Sequence, residues 1–359
     1  MGWNQPRQIV AYKSRRDDEG VHIGGRVLAN KQYGGPKESD SIWTNLKNTY
    51  RRWESDEVPH VPVTISYRGE EVRVESDDEG YFEATLSAEI EGEGKTAWAQ
   101  AKSRVETEEG SVEALHDVLE VSGDARFGVI SDIDDTILHT GITSLFTAAK
   151  LTFLENARTR KPLEGAAEFY QALTRDEVGQ FTNPLFYISS SPWNLYDLLV
   201  DFIDLNKFPA GPLFLRDVGI DRTKFIKSAG HGHKLDNALK VLDGYPDLKF
   251  VLIGDSGQDD AELYLEAARK RAGRIKAIYI RDVDPDQETA YDEKVGRFRE
   301  EAQELGVHFV MASDSMAMAR DAVELGLLEE ADLKTIRGEV AADVRRPTAQ
   351  EQAADAAVS

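Results

Sequence analysis

The sequence predicts an α/β protein: a doubly wound, mostly parallel sheet preceded by a smaller β-sandwich-like domain. Three observations carry this. After residue 123, six short apolar runs alternate with segments of helical period, the pattern of parallel strands joined by crossover helices. Between residues 21 and 122, apolar residues recur at every second position in runs broken by Gly and Asp turns, as short half-buried strands require. At the junction, Phe127-Gly-Val-Ile-Ser-Asp-Ile-Asp-Asp-Thr-Ile137 passes from an apolar strand into three carboxylates, at the kind of strand end where open α/β sheets bind ligands.

The N-terminal block begins with Val21–Leu28, a strand carrying a Gly24-Gly25 irregularity. Val61–Tyr67 and Glu71–Glu75 alternate apolar and polar residues around an Arg68-Gly69 turn, and Asp77–Gly80 turns the chain into Tyr81–Leu86. The Asp77–Gly80 cluster lacks the ligand spacing of a calcium loop and reads as a solvated hairpin turn. A helix capped by Ser39 or Asp40 interrupts the block. Its Ile42, Trp43, Leu46, Tyr50 and Trp53 fall on one side. That stripe fits a helix packed on the β domain; with Lys47, Arg51 and Arg52 beside it, it also fits an interfacial helix.

In the second block, strands are expected at 127–131, 184–189, 213–215, 249–253, 276–280 and 307–311. Helices are expected at 143–156, 164–173, 192–204, 234–242, 260–271, 287–304 and 315–325. The sequence therefore divides into a β-rich domain over residues 1–122, an α/β domain over 123–342 and a polar, Ala-rich tail, 343–359, expected to be disordered.

Composition bounds the function. A net charge of -22 argues against nucleic-acid binding, which needs a basic face. No run approaches the ~18 apolar residues of a membrane span, and the N-terminus lacks the apolar stretch of a signal peptide. With no cysteine, disulfides, thiolate metal sites and thiol nucleophiles are excluded. A cytoplasmic protein, at most peripheral to a membrane, is expected.

Four strand-end sites carry the chemistry. Asp132, Asp134 and Asp135, followed by Thr136, crowd one strand tip; each carboxylate opposes ionisation of its neighbours unless a cation offsets them, and hard oxygen ligands suit Mg²⁺. At Leu185–Trp193, a strand runs into Ser189, Ser190 and Ser191. Ser191 fits an N-cap and Pro192 the first helical position, so a helix start with an anion site is expected there, with Ser189 adding a hydroxyl. Lys234 opens a helix after Gly230-His-Gly-His233, and lysine suits phosphate; His231 and His233 are not expected to bind metal. Finally, Lys249–Asp260 repeats the apolar-strand pattern into Gly254-Asp255, then Asp259 and Asp260 before a helix, with Asp260 serving partly as its cap.

The order Asp-x-Asp-x-Thr, strand-Ser, Lys, Gly-Asp resembles the haloacid dehalogenase superfamily of phosphohydrolases. The strings SDIDDTI (131–137), YISSSPWNL (187–195), GPLFLRD (211–217) and LIGDSGQDDAELY (252–264) narrow it to the actin-patch phosphatidate phosphatase family and its bacterial relatives. The resemblance covers roughly residues 125–320, and the β block is similar to the region preceding the catalytic domain in bacterial members.

The resemblance implies a Rossmann-like catalytic domain without a large cap, and a phosphatidate phosphatase. It makes Asp132 the nucleophile and Asp134 the general acid and base. Thr136 holds their loop, and Ser189, Ser190 and Lys234 bind phosphate. Asp132, Asp134 (through its backbone carbonyl), Asp255 and Asp260 build the Mg²⁺ site. Short intervals between the motifs leave the site open, which suits a large or interfacial phospholipid substrate. The apolar face of helix 143–156, with Ile142, Leu145, Phe146, Ala149 and Phe153, either packs on the core or meets lipid. Two other functions stay open: a phosphatase of a soluble or protein substrate on the same site, and an idle interaction module.

Overall fold

In the computed structural model, the residues described are 7–29, 57–87, 95–108, 110–133, 164–176, 178–216, 231–256, 259–282 and 292–345. The expected helices at 40–53 and 143–156 and the tail beyond residue 345 lie outside them, as do Asp134, Asp135 and Thr136.

The N-terminal strands are β1 (Arg7–Ala11), β2 (Ser14–Asp17), β3 (Gly20–Ala29), β4 (Pro62–Tyr67), β5 (Glu70–Glu75), β6 (Tyr81–Leu86), β7 (Ala97–Thr107) and β8 (Gly110–Glu120). Strict alternation of buried and more exposed residues along β4 and β6 shows why the two-residue period read as strand. Val63, Ile65 and Tyr67 turn inward with Val21, Ile23, Phe82, Leu86 and Val118 to make one core. The architecture differs from the expected pair of stacked sheets. All eight strands hydrogen-bond into one curled, mixed sheet of order β1-β3-β2-β8-β7-β4-β5, with β6 on β3. The reason is β2, four residues long, which pairs antiparallel with β3 and parallel with β8. It thereby ties together strands that would otherwise lie in separate layers.

The second sheet holds β9 (Gly128–Asp132), β10 (Leu185–Pro192), β11 (Leu213–Arg216), β12 (Phe250–Asp255), β13 (Ile275–Arg281) and β14 (His308–Ala312). All of its pairings are parallel, in the order β11-β10-β9-β12-β13-β14. The chain starts in the middle, builds outward to β11, then crosses back to β12. The reversal lies between β9 and β12, and such a point opens a crevice beyond the strand ends. The helices are α1 (Ala166–Thr174), α2 (Tyr196–Leu205), α3 (His231–Gly244), α4 (Asp260–Lys270), α5 (Asp292–Glu304), α6 (Ser315–Glu324) and α7 (Glu330–Arg345).

Adjacent strand residues face opposite cores, as the pleat requires. Val129, Tyr187 and Val251 pack with α1, α2, α6 and α7. Ile130, Phe186 and Leu252 pack with α3, α4 and α5. Covered on both faces, these strands carry unbroken apolar runs. Helix α7, absent from the sequence reading, runs through residues 343–345, which had been expected to begin the disordered tail. Its Ile336 is fully buried in the first core, so tertiary packing holds a helix whose polar composition hides it.

Candidate functional site

Three strands of the parallel sheet deliver their last residues to one edge. Asp132 ends β9 in register with Ile188 of β10, so Ser189 lies one residue beyond it; Asp255 ends β12 on the other side. Asp132, Ser189, Asp255 and Asp260 are all essentially inaccessible, and Lys234 is 5% exposed. The structure thus brings together residues spread from 132 to 260 in the chain.

Lys234, on the first turn of α3, is the hub. Its Nζ lies 2.8 Å from Asp132 Oδ1 and 3.0 Å from Asp260 Oδ1. The other oxygen of Asp260, Oδ2, accepts the backbone N–H of Asp255 at 3.1 Å. Asp260, expected to serve partly as the helix cap beside its place in the metal site, does not cap the helix. It is the first residue of α4, whose N-cap is Asp259 without a side-chain cap bond, and its carboxylate points back to the strand. Gly254 makes this possible: a Cβ there would sit 2.5 Å from Asp260 Oδ2.

Oxygens of Asp132, Asp255 and Asp260 lie within 4.8 Å of one another. Of these three buried carboxylates, two pair with the one buried ammonium. At such separations in a poorly screened interior, like charges repel strongly, and an added divalent cation offsets them. The donors are carboxylate oxygens, and among the described residues no histidine joins them. That donor set fits a hard divalent metal ion.

The serine segment departs from expectation. Ser191 does not cap a helix and Pro192 does not begin one. Strand β10 stays extended through Pro192, a 3-10 turn follows at Trp193–Leu195, and α2 starts only at Tyr196; neither Pro192 nor Leu195 makes a side-chain cap bond. The Ser191 N–H is instead engaged by Ser189 Oγ at 2.9 Å. An α-helix amide cluster is therefore not at Ser191, and anion recognition there falls to serine hydroxyls and extended backbone. Extended pairing prevails because Pro192 still registers with Arg216 of β11 after a bulge that begins beyond Ile188.

Beneath the carboxylates lies a layer of hydroxyls that motif reading missed. Ser131 Oγ donates to the Asp132 carbonyl at 2.8 Å and lies 2.8 Å from Tyr170 Oη. Tyr264 Oη donates to the Ile253 carbonyl at 2.9 Å. Burial, reinforced for both by the neighbouring aspartates, pushes these phenols well above their ordinary range, so they stay protonated donors. Tyr264 was legible: it follows Asp260 by four residues and shares its helix face. Nothing in the sequence around Tyr170 marks it.

Residues 127–282 match the family model described as the catalytic domain of phosphatidate phosphatase APP1. The phosphatidate phosphatase APP1 of Saccharomyces cerevisiae is 29% identical over 237 residues, which is 63% of this chain and 39% of that protein. An uncharacterised protein of Schizosaccharomyces pombe is 30% identical over 159 residues, 44% of this chain and 25% of that one. The chain thus spans well under half the length of both relatives. A solved carbohydrate acetylesterase from Xanthomonas citri aligns over 81% of this chain and 72% of its own at a TM-score of 0.26 and 11% identity, too weak a likeness to define a shared fold.

Proposed function

Since residues 127–282 are an APP1-like phosphatase catalytic domain, we propose that the chain is a Mg²⁺-dependent phosphatidate phosphatase. It would release phosphate from phosphatidate and leave diacylglycerol, using a haloacid dehalogenase-like domain over residues 123–342 preceded by a β domain over 1–122. The observation that carries this reading is the buried cluster of Asp132, Asp255 and Asp260, with Lys234 paired to Asp132 and Asp260. An acidic protein that must bind an anionic ester needs its positive charge concentrated at one point.

In this reading Asp132 is the nucleophile: an Oδ–P bond forms as the ester P–O bond breaks. Asp134 gives its proton to the departing alcohol. It then takes one from the water that attacks phosphorus and releases phosphate from Asp132. Thr136 holds the loop that carries Asp134. Lys234 sets the rotation of the Asp132 carboxylate through Oδ1 and supplies positive charge beside the phosphoryl oxygens. Ser189 receives the Ser191 N–H on its oxygen, which keeps its own O–H for donation to phosphate, with Ser190 next to it. Asp132, the Asp134 carbonyl, Asp255 and Asp260 would hold Mg²⁺, which when bound screens the nucleophile from the phosphate dianion. Tyr170, Ser131 and Tyr264 keep the strand ends in place.

No described helix is long and apolar enough to cross a membrane; in this reading a lipid substrate is met by peripheral contact. The test is phosphate release from phosphatidate in mixed micelles beside a panel of soluble phosphomonoesters, with Asp132→Asn as the blank. Turnover confined to soluble esters would move the substrate class. Equal turnover by Asp132→Asn would remove the proposed nucleophile.

A further inference from the structure

The Ser189–Ser191 segment lies in a bulge of β10. Between Ile188 and Pro192 it leaves the ladder with β11, because four steps along β10 span only two along its partner. No side-chain cap anchors the 3-10 turn or the helix that follows. A bulged segment without a cap needs tertiary contacts to hold one conformation.

The N-terminal domain supplies such contacts to Trp193 and Tyr196, just beyond the bulge. The ring of Tyr12, in the turn between β1 and β2, stacks on Trp193 at 4.8 Å with planes 15° apart and lies 4.2 Å from Tyr196. The Lys13 N–H donates to Tyr196 Oη at 2.6 Å. Tyr12 is 8% exposed and belongs to the core of the parallel sheet, although its chain neighbours belong to the curled one. The turn itself is braced: Tyr12 N–H donates to the Gly24 carbonyl at 3.1 Å and Ser14 Oγ to the Tyr12 carbonyl at 3.0 Å. Further along, the Arg15 guanidinium lies 5.0 Å over the Phe214 ring of β11, and Asp18 N–H donates to Gly244 at the end of α3. Residues 12–18 thus run as a strap from the Trp193–Tyr196 turn that follows the serine segment to the helix that carries Lys234.

We propose that Tyr12 is a positioning residue for the Ser189–Ser191 segment, so that the β domain forms part of the apparatus that holds phosphate. Its consequence for turnover rests on the proposed role of Ser189; its consequence for the local structure does not. Aromatic pairs contribute about 0.5–1.5 kcal/mol beyond burial, which corresponds to an opening of the segment of up to roughly tenfold.

The experiment uses the full chain with Mg²⁺ and compares Tyr12→Leu, Tyr12→Phe and Tyr196→Phe. Amide exchange is followed by mass spectrometry, and kcat/KM is measured on p-nitrophenyl phosphate. Tyr12→Leu fills the site without stacking; it should raise exchange selectively across 189–195 and lower kcat/KM, each by roughly tenfold. Tyr12→Phe keeps the stack and should restore both. Tyr196→Phe removes only the hydroxyl and should loosen the same peptide to a smaller degree. Unchanged exchange there in Tyr12→Leu and Tyr196→Phe would overturn the proposal. So would exchange that rises equally throughout both sheets, which marks Tyr12 as a general packing residue. If the wild-type chain hydrolyses no ester, the phosphatase reading fails, and exchange at 189–195 alone decides the positioning role.

Discussion

Replacing Gly254 with alanine tests the acid cluster from its backbone side. The new methyl would lie 2.5 Å from Asp260 Oδ2, 2.7 Å from its Cβ and 2.9 Å from its Cγ. Unstrained heavy-atom contacts lie near 3.5 Å, so the carboxylate must retreat by about 1 Å. The Asp255 N–H and Lys234 contacts to Asp260, at 3.1 and 3.0 Å, would then exceed the ~3.2 Å range of good hydrogen bonds. Overpacking of this kind costs about 1–3 kcal/mol, and misplacing an oriented ligand group lowers metal affinity by roughly 10–100-fold. Gly128→Ala is the matched control. Its methyl would collide with the Phe250 ring in the core, at comparable cost to stability but away from the carboxylates. Calorimetric titration of Mg²⁺ and melting with and without the ion read both effects, because a ligand that binds only the folded state raises its stability. Wild-type Mg²⁺ affinity in Gly254→Ala would refute the reasoning, as would an equal loss of affinity in Gly128→Ala.

Other perturbations separate the roles within the site. Asp134→Asn should lower turnover by ~10²–10⁴ while calorimetric Mg²⁺ affinity is retained, since the ligand proposed there is a backbone carbonyl. Lys234→Met should abolish measurable turnover of any accepted ester and tighten Mg²⁺ dependence of the melting temperature, because it leaves Asp132 and Asp260 buried without their ammonium. His116 provides a pH signature away from the site. Burial pushes its imidazole down to about 4 from an ordinary 6.5, with Nε2 held 2.8 Å from Ser103 Oγ. The unfolded chain therefore takes up this proton first as pH falls. The contribution is complete above about pH 6.5 and declines by ~3 kcal/mol towards pH 4. Urea midpoints for wild type and His116→Gln should converge as pH drops from 7 to 4.5, and parallel curves would show that His116 does not titrate in this window.

Much of the chain was legible because two forces act locally. Strands buried on both faces must be apolar throughout, which is why all six parallel strands, from Gly128–Asp132 to His308–Ala312, were found within a few residues. Carboxylates at apolar strand ends are costly to leave unbalanced, which marked Asp132, Asp255 and Asp260 as a set. Tertiary structure alone decided the rest. Helix α7 is recorded by one buried face rather than by composition. The course of the chain after Ser191 follows sheet pairing at Pro192, although Ser-Pro reads locally as a helix start. The carboxylate of Asp260 can point back at the strand only because Gly254 lacks a side chain, and the hydroxyls of Tyr170 and Ser131 meet only when helix and strand pack. The contact of Lys13 with Tyr196 joins residues 183 positions apart. Local pattern reports what each segment must bury; partner choice across such distances depends on which buried surfaces and polar groups satisfy one another once the two sheets are assembled.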